Sequence, residues 1–588
     1  MYKKALLLCT AVFSCTYGFS QTTYLPLGSD DYNYLDKLET RSGRLCDSLQ
    51  LSDKAESRKN AVNFLEMIQT RADDTSQHFH LSGRDRYNIR QMISENGEWT
   101  ADENGAIDSK RPWFHTFYKK QYDFVYVKRK DLFVVINPIL YGMSSAQHAD
   151  PSVKGLSNSL SYNSHDFEIR AWIGKKLGIY TALTDNQESL PYYVRSSANK
   201  YEQAVPGADY FLVPKNPLTG NYDYFLASGY IDFAAIKDHL NVTFGQGKHF
   251  IGDGISSLFL SDYSASTPFL QLKARIWKLN YEVLYMELTQ QYDKSLGDAL
   301  TNHKYATMHY ITFNHAKWLN VGFFESVVFD RPNSYELAYL NPVVLTNATN
   351  RYNGEGDKAI IGFSWKAIAA RHLQFYSQLM LNEFSAGHIL KNDGWYGNKW
   401  GVQFGGKYFD AFGIHNLDLQ AELDVVRPYT YSAKDTLANY TNYNQPLADP
   451  LGSGFIKTIG IARYQASKNI TLTFKAMSYV QGIDTGGVNM GNNIFNAYTT
   501  APNGTNTYHV NLINGPHGTC QSISFNVSWQ LRRNLFLDLG SVYRRYTAPK
   551  NVVDGYTTTG PVLPGTTTNS YTYFGLRLNA PRRDYTWF

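Results

Sequence analysis

Few residues in this chain stand at spacings that could do chemistry. His78-Phe79-His80 sets two imidazoles two residues apart. Protein zinc sites take three or four ligands, and no third stands nearby, so an exposed turn pair is the plainer reading. Gly245-Gln246-Gly247 and Gly252-Asp253-Gly254 have the glycines of a phosphate cradle. Neither lies between a strand and a helix, as a nucleotide loop must. HExxH, P-loop and GxSxG patterns do not occur. Carboxylates are plentiful, and a glycosidase needs only two at a fixed separation, but no pair is singled out. The sequence therefore predicts a non-enzymatic protein without cofactor or metal. What remains is recognition chemistry. The stretches DGWYGN (Asp393–Asn398) and NYTNYN (Asn439–Asn444) combine aromatic rings with amides. Rings stack on sugars and amides bind hydroxyls. Trp395, Tyr396, Asn442, Tyr443, Arg427 and Arg544 are the predicted glycan contacts. The bland alternative is solvated loops above an aromatic girdle.

The stretch IHNLDLQAELDVV (Ile414–Val426) shows what must hold such residues. Asn416, Asp418, Gln420, Glu422 and Asp424 alternate with Leu417, Leu419, Ala421, Leu423 and Val425. Successive side chains of a strand point to opposite faces, so one face is apolar and the other polar. The pattern recurs after Trp113. Leu270, Leu272, Ala274 and Ile276 alternate with Gln271, Lys273 and Arg275, and Ile523, Phe525, Val527 and Trp529 alternate with Ser524, Asn526 and Ser528. Strands read this way run from 131–140 to 571–580. Their connections alternate: tight turns at Gly174–Lys176, Ile236–His239, Lys278–Asn280 and Arg532–Asn534, long loops at 185–223, 330–356, 427–454 and 483–519. Tight turns at one end and long loops at the other are the rule of outer-membrane barrels, whose apolar face meets lipid and whose polar face lines the lumen. A soluble sandwich or propeller has no reason to keep its long loops at one end. The predicted fold is an all-β transmembrane outer-membrane β-barrel of about eighteen antiparallel strands, an even number as such barrels have, over residues 113–588. Both chain ends then lie on the periplasmic side. In the lumen, Asp418, Glu422 and Asp424 are expected to pair with Lys273, Arg275 and Lys475 and narrow the pore. Arg427 and Arg544 should sit near the outer rim, within reach of lipopolysaccharide phosphates or an acidic glycan. Tyr122–Lys130 reads either as a short extra strand or as a periplasmic lead-in.

Composition agrees. The 588 residues include 45 Tyr and 33 Phe, with a formal net charge of +5. No apolar run reaches the ~20 residues of a membrane helix. Basic residues are dispersed, which argues against a nucleic-acid partner. Lys3-Lys4 before the apolar Ala5–Phe13 reads as a signal peptide over residues 1–20, so the expected partners are the barrel assembly machinery, outer-membrane lipid and lipopolysaccharide, and surface polysaccharide. Residues 21–112 read as a small periplasmic helical region. Tyr34, Leu35 and Leu38 share a face, a second helix opens at Ser52-Asp53, and Ser82 caps a third. Its charges are expected to be a solvated surface. Cys46 belongs to this region and Cys520 follows a long loop, so the two are expected to remain thiols.

Four stretches carry a family resemblance: LPLGSDDYNYLDKLETRSG (Leu25–Gly43), GQGKHFIGDGISSLFLSD (Gly245–Asp262), ELAYLNPVV (Glu336–Val344) and FGLRLNAPRRDYTWF (Phe574–Phe588). They resemble the Wzi-type capsule assembly proteins, and the length and layout look closest to the gliding-motility variant RemB. The resemblance implies an eighteen-stranded outer-membrane barrel with a periplasmic helical bundle. In one branch it implies a surface lectin that holds exopolysaccharide, in the other a surface component of gliding. The terminal Phe588 agrees with a barrel assembly signal, although the alternation stops at Pro581. A porin-like diffusion or uptake channel is the alternative, and it needs an open lumen.

Overall fold

The computed structural model describes residues 22–586, apart from 75–78, 103, 150–157, 175, 201–204, 210–221, 290–300, 332–333, 344, 354–355, 486 and 551–564. The signal peptide expected over residues 1–20, His78 and Phe588 lie outside the described residues.

Eighteen antiparallel strands close into a barrel. They are β1 (Leu132–Ala149), β2 (Ser159–Ile173), β3 (Leu177–Glu188), β4 (Tyr222–Ile236), β5 (Leu240–Gly247), β6 (Thr267–Ile276), β7 (Leu279–Thr289), β8 (His303–Ala316) and β9 (Leu319–Phe329). The second half comprises β10 (Lys358–Ala369), β11 (Leu373–Glu383), β12 (Lys399–Tyr408), β13 (Leu417–Val426), β14 (Phe455–Gln465), β15 (Ile470–Gly482), β16 (His517–Arg532), β17 (Leu535–Thr547) and β18 (Thr566–Leu578). Each strand pairs with its sequence neighbours, and β18 closes on β1 with Leu578 opposite Leu140. Below that point β1 has a second partner: Val125–Arg129 turns back onto Ile136–Leu132. Tyr122–Lys130 thus contains a short strand, and the barrel wall begins at Leu132 rather than at 113.

The strand faces follow the alternation. In β13 the side chains of Asp418, Gln420, Glu422 and Asp424 are buried inside, while Leu423 is 41% exposed on the outer wall. Phe363, Phe404, Ile523, Leu539 and Phe574 continue that apolar outer belt. Trp277, Trp318 and Phe412 stand exposed beside tight turns, at the level where aromatic residues meet the membrane interface. Short and long connections alternate throughout, so the long loops share the external end.

The helical region consists of α1 (Asp31–Ser42), α2 (Arg58–Asp73) and α3 (Gly83–Glu95). Ser82 and Asp85 form a reciprocal capping box on α3. The second helix opens later than expected: Ser57 caps it by accepting from the Asn60 N–H at 3.2 Å. Asp53-Lys54 is instead extended and pairs with Phe250-Ile251 of the connection between β5 and β6. The three helices share a core of Leu35, Leu38, Phe64, Leu65, Ile68 and Ile89.

Candidate functional site

The polar face of each wall strand must find partners or water. Here most of those partners come from the chain itself, which enters the lumen from both ends. From the periplasmic end α1 presents Asp36, Lys37 and Glu39. Asp36 meets Lys407 of β12 at 2.5 Å, Lys37 meets Asp418 at 3.1 Å and Asp410 at 2.9 Å, and Glu39 meets Lys366 of β10 at 3.3 Å. All three α1 side chains are buried. The reading of these charges as a solvated surface is therefore corrected: one face of α1 packs on the other helices, and the opposite face serves as the counter-charge of the wall. Burial pushes the Asp36 carboxyl up, but the Lys407 and Lys366 ammonium groups outweigh it and hold it below the usual range. Glu39 goes the other way, because burial outweighs Lys366.

From the external end the β5–β6 connection dives inward. Its Asp253 accepts from Ser52 Oγ at 2.8 Å and lies 3.4 Å from Lys366, so both plugs meet on one wall cation. Ser256 Oγ lies 2.8 Å from Glu422 and 2.7 Å from Asp424, and Lys457 of β14 lies 3.3 Å from Asp424. The glycines of this stretch are explained here. A Cβ on Gly254 would crowd Glu422 and Gln403, so the backbone approaches the wall only without one. Above this layer the same connection packs Leu258 and Phe259 against Leu284, Met286, Met308, Phe324 and Met380. Phe259 stacks on Phe324 at 4.7 Å and lies over Gly362, where any side chain would overlap its ring.

The predicted lumen pairs are thus corrected. Lys273 lies 3.1 Å from Asp53 and 3.9 Å from Glu282, and Arg275 donates to the backbone carbonyls of Ser48 and Asp238. Lys475 lies 3.0 Å from Asp584 of the C-terminal tail. After β18 that tail turns back and climbs the lumen. Arg582 donates to Asn526, Arg583 reaches Glu188 at 3.3 Å, and the Tyr585 carbonyl accepts from Tyr193. Lys475 and Arg582 hold the Asp584 carboxyl down against its burial.

The predicted glycan contacts divide into two groups. Asn442 is 1% exposed; its amide serves the Thr289 N–H and the Ala265 carbonyl. The NYTNYN stretch lies in the lumen cap, where Tyr440 donates to the Phe259 carbonyl and Tyr431, stacked on it, donates to the Leu258 carbonyl. Arg427 is buried and donates to the carbonyls of Asn398 and Val510. Tyr396 is buried against Tyr429. Tyr443 is half-buried against an internal aromatic cluster. Arg544 is half-buried, bonded to Tyr479 at 3.1 Å and lying over the rings of Tyr193 and Tyr546. Asn442, Arg427 and Tyr396 are therefore structural, and their assignment as surface contacts is corrected. Trp395 is half-buried too: its ring stacks on His388 at 4.5 Å and its Nε1 donates to the Thr505 carbonyl at 3.4 Å. His388 Nδ1 lies 2.6 Å from Asp393, which also accepts from the Trp395 N–H. The His388 hydrogen bond holds the Asp393 carboxyl below its ordinary value. Tyr508, 42% exposed, stands 6.0 Å from His388. Behind this group Lys399 lies 3.5 Å from the centre of the Tyr498 ring and 2.9 Å from Glu383. The indole surface left beside an ionised carboxylate and an imidazole can pack on a sugar ring while those two groups bind its hydroxyls. Sequence reasoning reached Asp393 only as part of DGWYGN and missed His388, which its own loop's short helix brings back onto Trp395, and Tyr508, which comes from another loop that only the fold joins to it. Among the described residues no group of three His, Cys, Asp or Glu side chains could hold a metal.

No family model matches the chain, and no curated protein matches it. Solved structures do. One is Wzi of Escherichia coli, an outer-membrane protein involved in group 1 capsule assembly and described as a carbohydrate-binding β-barrel. It is 11% identical with a TM-score of 0.52, over 95% of this chain and 99% of that one. OprD of Pseudomonas aeruginosa is 8% identical with a TM-score of 0.39, over 76% and 95%. A BenF-like porin of Pseudomonas fluorescens is 8% identical with a TM-score of 0.39, over 76% and 98%. At these identities the likeness to Wzi is one of fold: this chain is an outer-membrane β-barrel.

Proposed function

We propose that this protein is a non-enzymatic outer-membrane anchor that binds or organises polysaccharide at the cell surface through its long-loop end. The observation that carries this reading is the filled lumen. Wall cations, two inward segments and the C-terminal tail neutralise one another across it, so the barrel serves as a rigid base for its external loops. The group of Trp395, His388, Asp393 and Tyr508 is the proposed contact surface, and lipopolysaccharide and surface polysaccharide are the proposed partners. Folding through the barrel assembly machinery belongs to the same reading. The likeness to Wzi, itself described as carbohydrate-binding, supports the choice of ligand class. The sequence resemblance to RemB adds a role in gliding. A deletion strain tests both: polymer should still be made but released from the cell, or spreading over solid surfaces should fail. Normal retention together with normal spreading would refute it. The channel alternative predicts steady conductance in planar bilayers, whereas the filled lumen predicts little.

A further inference from the structure

The connection between β9 and β10 does not stand up from the external rim. Outward-facing residues of this barrel are recognisable by register. On β8, Lys304, Met308, Tyr310 and Thr312 face the lumen, where they meet Asn439, Tyr440, Ser364 and Gln50. The alternate residues Thr307 and His309 therefore face the lipid side, as do their register partners Tyr281, Val283 and Tyr285 on β7 and Glu325 and Val327 on β9. Elsewhere such positions are open: Phe363 on β10 is 48% exposed. Here Val283, Thr307, His309, Glu325 and Val327 are at most 2% exposed.

What covers them is the β9–β10 connection, folded down over the outer wall. The Thr346 N–H donates to Glu325 at 2.7 Å, and Glu325 lies 3.1 Å from His309 Nδ1. Tyr339 stacks on Phe329 at 4.6 Å. Tyr285 donates to the Leu340 carbonyl and Tyr281 to the Pro342 carbonyl. Tyr281 is the third residue of β7 from its periplasmic turn, so the connection descends past most of the strand.

We propose that this external connection re-enters the outer membrane and lies within its apolar layer, covered by lipid acyl chains. Four observations carry this. It is continuous with the apolar outer belt. From Leu337 to Asn350 the sequence holds no charged residue. Its polar groups point at the wall or at its own backbone: Thr346 and Asn347 bond to Glu325, and Asn341 accepts from the Val343 N–H. Apart from Asn341, its exposed side chains are apolar, with Leu337 77%, Val343 83%, Leu340 40% and Leu345 49% exposed. A loop standing in water would have the opposite arrangement, and a carboxylate hydrogen-bonded to an imidazole on a lipid-facing wall needs such a cover. The strap thus lets a His–Glu pair sit on a lipid-facing wall.

The test uses the full-length protein in vesicles, with bimane on Val343→Cys or, as a second site, Leu337→Cys. Leu390→Cys, on the 87% exposed tip of the next external loop, is the aqueous control. Lipids brominated along their acyl chains should quench the Val343 and Leu337 probes several-fold more than the Leu390 probe, and aqueous iodide should do the reverse. Iodide quenching at Val343 and Leu337 equal to that at Leu390 would overturn the proposal. So would quenching by neither agent together with a disulfide between two Val343→Cys protomers, since a second copy would then be the cover.

Discussion

Lys366→Met tests the architecture at its junction. Lys366 stands on β10, 3% exposed at its side chain, with Glu39 of the periplasmic plug at 3.3 Å and Asp253 of the external plug at 3.4 Å. Methionine keeps the length and apolar stem and removes the charge, leaving two buried carboxylates facing each other. Removing one member of a buried ion pair costs about 3–5 kcal/mol, because the other is left uncompensated. Each ~1.4 kcal/mol is tenfold in an equilibrium, so local opening should rise by roughly two to three and a half orders of magnitude. The assay is hydrogen exchange on the protein in lipid nanodiscs, read on peptides covering 31–42 and 248–262. Both should lose protection together, while β13–β16 stay unchanged. Glu39→Gln added to Lys366→Met should restore part of the loss, because one stranded charge is gone. Loss of protection in only one of the two segments, or in neither, would refute the idea that a single wall cation joins them.

Other perturbations follow the same logic. Gly362→Val should drive Phe259 off Phe324 and cost about 1–3 kcal/mol as overpacking, seen as faster exchange at 255–260 without loss of the barrel. Lowering the pH should leave α1 docked until strong acid. Glu39, whose folded value is raised, binds its proton earlier in the folded state than in the unfolded one, and so favours the docked form slightly as pH falls. Asp36, whose folded value is lowered, contributes stability that is full above the unfolded carboxylate value of about 4 and is lost only below it. Protease release of the N-terminal region should therefore begin below about pH 4; release at pH 5–6 would contradict the assignment. Trp395→Ala should weaken binding of purified protein to exopolysaccharide by about tenfold, on the ~1–1.5 kcal/mol scale of an aromatic contact, with no change in heat stability. Arg427→Ala should instead disturb the loops themselves, because its guanidinium holds two backbone carbonyls.

The wall was legible in the sequence because lipid enforces a period of two. Wherever a strand crosses the apolar layer, one side chain in two must be apolar and the turn chemistry marks the ends. The signal fails where that constraint stops. β1 runs on to Ala149 and β18 starts at Thr566, beyond the ends of the alternating pattern. The added residues, Ser144-Ser145-Ala146-Gln147-His148 and Thr566-Thr567-Thr568-Asn569, are small or polar on both faces, as a strand standing clear of the lipid can be. Val125–Arg129 was ambiguous for a related reason: it pairs along only part of β1 and never completes a crossing.

The lumen was much less legible, and the reason is physical. Alternation tells which side chains point inward but not what meets them, because their partners lie far along the chain: Lys37 with Asp418, Glu188 with Arg583, Lys475 with Asp584. A charge on a helix reads the same whether its neighbour is water or a wall lysine. The same ambiguity misplaced the aromatic loops. NYTNYN has the composition of a solvated loop, yet Tyr440 and Asn439 are buried, because their hydroxyl and amide groups satisfy the backbone of the inward segment and Lys304. Tyr and Asn suit both settings, each offering polar atoms that a wet surface or a polar interior can use. What separates them is whether the loop's own fold consumes those atoms. By that criterion Trp395 is partly consumed as well, since its Nε1 donates to the Thr505 carbonyl; what its loop leaves over is ring surface beside the Asp393 carboxylate and His388.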